Sequence, residues 1–116
     1  MTRWHQTLEK RWKTMPVYQQ ILMIANEMNR AENLKNDLKE YKNALERALE
    51  LMDFSIDAIQ NRPMLREFLR ARELVAALYV GRPLSPLPVV QNGFVQLSPE
   101  AWCYLHGKKC FRGETK

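Results

Sequence analysis

Between Pro16 and Pro63 the chain has neither glycine nor proline, and its apolar residues recur at helical spacing almost throughout. Val17, Ile21, Ile24, Met28, Ala31, Leu34, Leu38, Tyr41, Leu45, Ala48, Met52, Ile56 and Ile59 follow one another in steps of three or four. Steps of that size put side chains on one side of an α-helix, where they form a stripe that must leave water. A lone helix cannot bury its own stripe. The pattern therefore demands partner helices, from the same chain or from a second copy.

One unbroken helix over this stretch would be roughly 70 Å long at 1.5 Å per residue, far beyond the usual length in a small domain. The stripe slips phase at Met28–Ala31–Leu34, and Asn29-Arg-Ala-Glu32 has the form of a capping box with asparagine in place of serine or threonine. The reading predicts a bend or turn near Asn29–Asn33. Upstream, residues 3–14 fit a short amphipathic helix with Trp4, Leu8 and Trp12 on one face. Thr14 then reads as an N-cap, with Pro16 in the first turn of the next helix.

Asn61-Arg62-Pro63 marks a boundary, because proline disfavours helix in the residue before it and suits the first turn of a new one. Pro63–Val80 then reads as a helix closed by Gly81, and its apolar residues cover more than one stripe. It is expected to be the most buried helix. Beyond Gly81, Arg82–Pro88 is too proline-rich for helix and reads as a stiff linker, with a superficial likeness to a proline-rich ligand of small β-domains. Val89–Leu97 reads as a β-hairpin turning at Asn92-Gly93, since that dipeptide supplies the positive φ angles of a type I′ turn. Ser98-Pro99-Glu100 is an N-cap signature opening a short helix through Trp102 and Tyr104, with a basic tail over 108–116. No internal repeat is visible.

The expected fold is mainly α: an antiparallel bundle of three principal helices, a small C-terminal hairpin and short terminal helices. At 116 residues it reads as one domain, with a helical bundle over 1–80 and the linker, hairpin, short helix and tail over 81–116. A hydrophobic content of 46% and a charged content of 27% exclude wholesale disorder. No secretory signal and no transmembrane run of about 20 apolar residues is present. Two cysteines in a chain without a signal fit a reducing compartment, so a soluble cytoplasmic protein is expected.

The net charge of +5 sits at the ends. Residues 1–14 carry Arg3, Lys10, Arg11 and Lys13 against Glu9, and the stretch after Gly81 is again basic. Such ends can lean on phosphates or anionic lipid. The aromatic and basic start, with Trp4 and Trp12, could lie on a membrane surface or stack on single-stranded bases; packing of both tryptophans on the bundle is the commoner fate. Arg62, Arg66 and Arg70 form a row at four-residue steps, opposite a carboxylate stripe of Glu46, Glu50, Asp53 and Asp57. In an antiparallel hairpin Asp57 falls across from Arg66 and Asp53 across from Arg70. The arginines could clamp a phosphate and the carboxylates could hold a metal, but flanking charges that pair across a seam set register more often.

Catalytic machinery is not visible. A di-iron bundle needs Glu-x-x-His motifs on facing helices, and the chain has none. Cys103, His106 and Cys110 offer three zinc ligands at a spacing outside the common frameworks, and His5 or a second chain would have to supply a fourth. No Gly-x-Ser-x-Gly and no glycine-rich nucleotide loop occurs. No catalytic residue, metal or cofactor is therefore assigned. The expected function is a non-catalytic helical interaction module or subunit that forms a homodimer, since segment 17–41 offers more apolar stripe than helix 63–80 can cover. The alternative is a nucleic-acid-binding accessory protein using Lys10, Arg11, Lys13, Arg62, Arg66 and Arg70.

Overall fold

The computed structural model describes residues 10–105, and of Leu105 the backbone alone. After a helical turn at residues 10–12 come five helices: α1 (Val17–Asn33), α2 (Leu38–Ala58), α3 (Arg62–Tyr79), α4 (Leu87–Val95) and α5 (Pro99–Leu105). No strand occurs among the described residues. α1 packs on α2, α2 on α3, α3 on α4, and α4 back on α1. The four helices thus form a closed ring, with α5 laid against α1 and α4. Neighbours run antiparallel, as their cross-links show: Gln20 near the start of α1 meets Ser55 near the end of α2, and Lys42 at the start of α2 lies over the ring of Tyr79 at the end of α3.

The long apolar stretch does break, though later than its asparagines suggest. α1 continues through Asn29 to Asn33, and the turn occupies residues 34–37. The cap of α2 is Asp37, whose Oδ1 accepts from the Glu40 N–H at 3.3 Å. Asp37-Leu-Lys-Glu40 is the second capping box in this region; Asn29 lies too early, where Met28 and Ala31 are fully buried and hold the helix in place. Thr14 does not cap α1 either. Its hydroxyl donates back to the Arg11 carbonyl at 2.7 Å, and Pro16 is the residue that precedes the first helical turn.

Both ends of α3 follow the sequence. Asn61 Oδ1 accepts from the Met64 N–H at 2.9 Å, with Pro63 inside the first turn. At the other end Gly81 adopts φ +82°, the Arg82 N–H donates to the Ala77 carbonyl at 2.9 Å and the Gly81 N–H to the Leu78 carbonyl at 3.2 Å. That pair of bonds is a Schellman closure, and the left-handed glycine makes it accessible.

Two further expectations are overturned. The hairpin at 89–97 does not form, and its residues belong to α4 and the turn after it. Leu87, Val90 and Phe94 stand three and four apart and are 3%, 4% and 2% exposed, with Val95 fully buried beside them. Phe94 meets Phe68 of α3 edge to face at 5.0 Å, and Gln91 Nε2 donates to the Ala25 carbonyl of α1 at 3.0 Å. A glycine within a helix costs about 1 kcal/mol, whereas each large apolar side chain buried returns about 1.5–3 kcal/mol. Packing wins over the local turn preference of Asn92-Gly93.

The second correction concerns the centre of the core. α3 buries Phe68, Ala71, Val75 and Leu78, but Leu69 is 48% exposed. α1 is the inner helix: it buries Gln20, Ile21, Ile24, Ala25, Met28 and Ala31, and it packs on α2, α4 and α5. Of the stripe over 17–41, Ile21, Ile24, Met28 and Ala31 are covered within the fold, where α2 and α4 pack on α1, whereas Val17 and Leu38 are 38% and 66% exposed.

Candidate interaction surface

Between α3 and α4 lies an open cleft of about 160 Å³. Its walls are Ala71 and Leu74 from α3 and Val89, Val90, Gly93, Phe94 and Leu97 from α4 and the turn beyond, with Glu67, Arg70 and Ser85 at the polar edge. Val89 on its lip is 59% exposed, and Leu84 in the preceding linker is 66% exposed. The cleft falls short of the roughly 300 Å³ at which small-molecule sites begin. It has room for an inserted apolar side chain.

Gly93 contributes an unusual feature. It is exposed within α4, and a Cβ built on it would meet no atom within 4 Å. No neighbour in the fold therefore requires the glycine, yet its helical position carries a propensity penalty. The sequence signal for this surface is residues 83–99, which contain no Asp, Glu, Lys, Arg or His in a chain that is 27% charged. Depletion of charge is the compositional mark of an interface core. Reading Asn92-Gly93 as a hairpin turn hid that signal behind a local motif.

The arginine row and the carboxylate stripe do not pair as expected. Asp53 bonds Arg72, at 2.6 Å to Nε and 3.3 Å to Nη2, in place of Arg70. The reason is rotational: Arg72 and Tyr79, seven residues apart, are on the side of α3 that meets α2, while Arg70 lies on the side that lines the α4 cleft. Arg62 and Arg66 are exposed, and no ion-pair partner for Arg62, Arg66 or Arg70 occurs among the described residues. Arg72 is held above its ordinary value first by the hydrogen bond to Asp53.

At the other end of α3 a shallower cleft of about 440 Å³ is lined by Lys13, Met15, Val17, Gln20, Ala58, Ile59, Gln60, Asn61 and Met64. Its lining brings the basic segment Lys10–Lys13 to the same end of the bundle as Arg62. Lys10, Arg11 and Lys13 are exposed, but Trp12 between them is fully buried. Trp12 Nε1 donates to Ser55 Oγ at 2.9 Å, Ser55 Oγ donates to Gln20 Oε1 at 2.7 Å, and Gln20 Nε2 donates to the Trp12 and Met15 carbonyls. A tryptophan so enclosed cannot stack on bases or enter a membrane surface. Trp4 and His5, like the rest of the expected helix before Lys10 and the basic tail over 108–116, lie outside the described residues.

Cys103 is a half-buried free thiol, and the other two members of its motif, His106 and Cys110, lie outside the described residues. Among the described residues no group of three or more His, Cys, Asp or Glu could hold a metal ion. No helix among them is long and apolar enough to cross a membrane. No family model matches the chain, and comparison with curated proteins and with solved structures finds no match.

Proposed function

We propose that this chain is a non-catalytic helical interaction module that holds another protein chain on the α3–α4 face. The observation that carries the reading is the charge-free run 83–99, which folds into an apolar cleft with Val89 and Leu84 left in water. Exposed apolar side chains next to an unfilled apolar cleft, rimmed by Glu67 and Arg70, have the composition of a protein-binding patch. The polar side chains there are those two and Ser85, and no hydrogen bond or ion pair joins any two of the three. A photo-crosslinking residue at position 89 tests the reading in cells, with one at exposed Lys39 as control. The expected result is a discrete adduct from position 89 that Gly93→Leu abolishes. Equal or absent labelling from the two positions would refute it.

One observation supports a second reading, nucleic-acid binding. Lys13 and the Asn61–Met64 turn share a cleft, which gathers Lys10, Arg11, Lys13, Arg62 and Arg66 at one end of the bundle. Titration with generic DNA and RNA at rising salt decides it. Steep loss of affinity with salt supports this reading, and no binding at low salt removes it.

A further inference from the structure

We infer that the occupant of the α3–α4 face is a second copy of this chain, paired about a two-fold axis that runs beside α3. This rests on the docking-face reading above and names its partner.

Each copy carries a net charge of +5, so two copies repel on average as they approach. The run 83–99 carries no charge, and its exposed side of α4 is a face on which that repulsion has no local source. The rim of the cleft then supplies attraction. Glu67 and Arg70 lie one turn apart on α3, are both exposed, and form no ion pair with each other.

A two-fold interface places the same patch on both sides, so residue i of one copy meets residue j of the other and the reverse. Glu67 and Arg70 suit that symmetry: Glu67 of each copy faces Arg70 of the other, giving two equivalent pairs from one arrangement. A patch with a single sign of charge could not do this. The apolar parts are complementary as well. Val89 and Leu84 project from the patch and are the knobs. The space over Gly93, where a Cβ would meet nothing, is the hole. A glycine that no contact within the fold requires becomes intelligible when the backbone of α4 must admit a neighbour's side chain.

The test uses the full chain and three surface substitutions that leave the core intact. Sedimentation velocity up to about 1 mM should show a reversible dimer for the wild type. Glu67→Arg and Arg70→Glu should each weaken it by roughly tenfold or more, because each sets like charges across the axis twice. An equimolar mixture of those two variants should regain dimers, since each introduced charge then faces one of opposite sign across the axis. Gly93→Leu should remain folded by circular dichroism and be monomeric. A wild-type chain that stays monomeric overturns the two-fold pairing yet leaves the docking face open to a different protein, which the crosslinking experiment detects by the mass of its adduct. A dimer indifferent to all three substitutions, or a mixture that fails to recover, overturns it as well.

Discussion

Trp12 Nε1 donates to Ser55 Oγ at 2.9 Å across the core, joining the segment before α1 to the last turn of α2. The hydroxyl also donates to Gln20 Oε1, so one small side chain satisfies two buried polar groups. Replacing it strands both. Ser55→Ala is expected to cost about 1–3 kcal/mol, the range for leaving buried polar groups without partners. Urea denaturation checks this, and an unchanged midpoint would show that Trp12 is not held by this bond.

The two described glycines should respond in opposite directions to the same change. Gly93→Ala adds a methyl group into open space in a helix, and stability should rise by about 0.5–1 kcal/mol. Gly81→Ala also meets no atom, but its φ of +82° is a region that alanine enters at a cost of roughly 1 kcal/mol or more. Thermal melts of the pair separate backbone strain from steric crowding, since crowding is absent at both.

Phe94 anchors α4 through its edge-to-face contact with Phe68. Phe94→Ala should cost about 3–5 kcal/mol. Hydrogen exchange should reveal where the loss falls: faster exchange across Leu87–Val95 first, and then in α1, whose flank α4 covers. Uniform acceleration over all helices would mean that α4 is no separate latch.

Much of this architecture is readable from the chain because its signals are redundant. Around Asn61–Pro63 the cap, the proline and the change of stripe agree, and the helix starts there. At Gly81 the end of the pattern and the glycine agree. Reading fails where a local motif and a distant contact compete. Asn92-Gly93 is a hairpin turn by local preference, but Phe94 finds Phe68 and Gln91 finds the Ala25 carbonyl, neither of which is visible from a window of a few residues. Asn29 and Asp37 both head a capping pattern, and only the burial of Met28 and Ala31 decides between them. The arginine row misleads for a similar reason: its four-residue step shows that the side chains align, while the rotation of α3 that turns Arg72 toward Asp53 is set by the core. The α3–α4 cleft was legible only as an absence of charge over 83–99.

The Asp53–Arg72 pair is short, yet its side chains are 52% and 38% exposed. Water and salt screen it, so a double-mutant cycle with Asp53→Ala and Arg72→Ala should give a coupling of at most about 1 kcal/mol. A coupling several times larger would indicate a drier seam between α2 and α3 than the exposures describe.

Tyr41 titrates above its ordinary value of 10.0, mainly because burial disfavours the phenolate and secondarily because Glu32 repels it. The fold therefore favours the neutral phenol. This contribution is complete below the unfolded pKa and disappears as pH rises through the higher folded one. Denaturation midpoints between about pH 9 and pH 11 should fall less steeply for Tyr41→Phe than for the wild type. Parallel curves would remove Tyr41 as a source of the alkaline loss.

Because α4 seals a flank of α1 from far along the chain, synthesis itself carries a risk. A growing polypeptide that has reached Tyr79 possesses all three long rods but still lacks the cover that α4 lays over α1 around Ala25, and it must emerge by another sixteen residues before Val95 leaves the ribosome. Translation arrest inside that interval yields a sticky product, which makes the stretch after Gly81 the point where chaperone demand should peak.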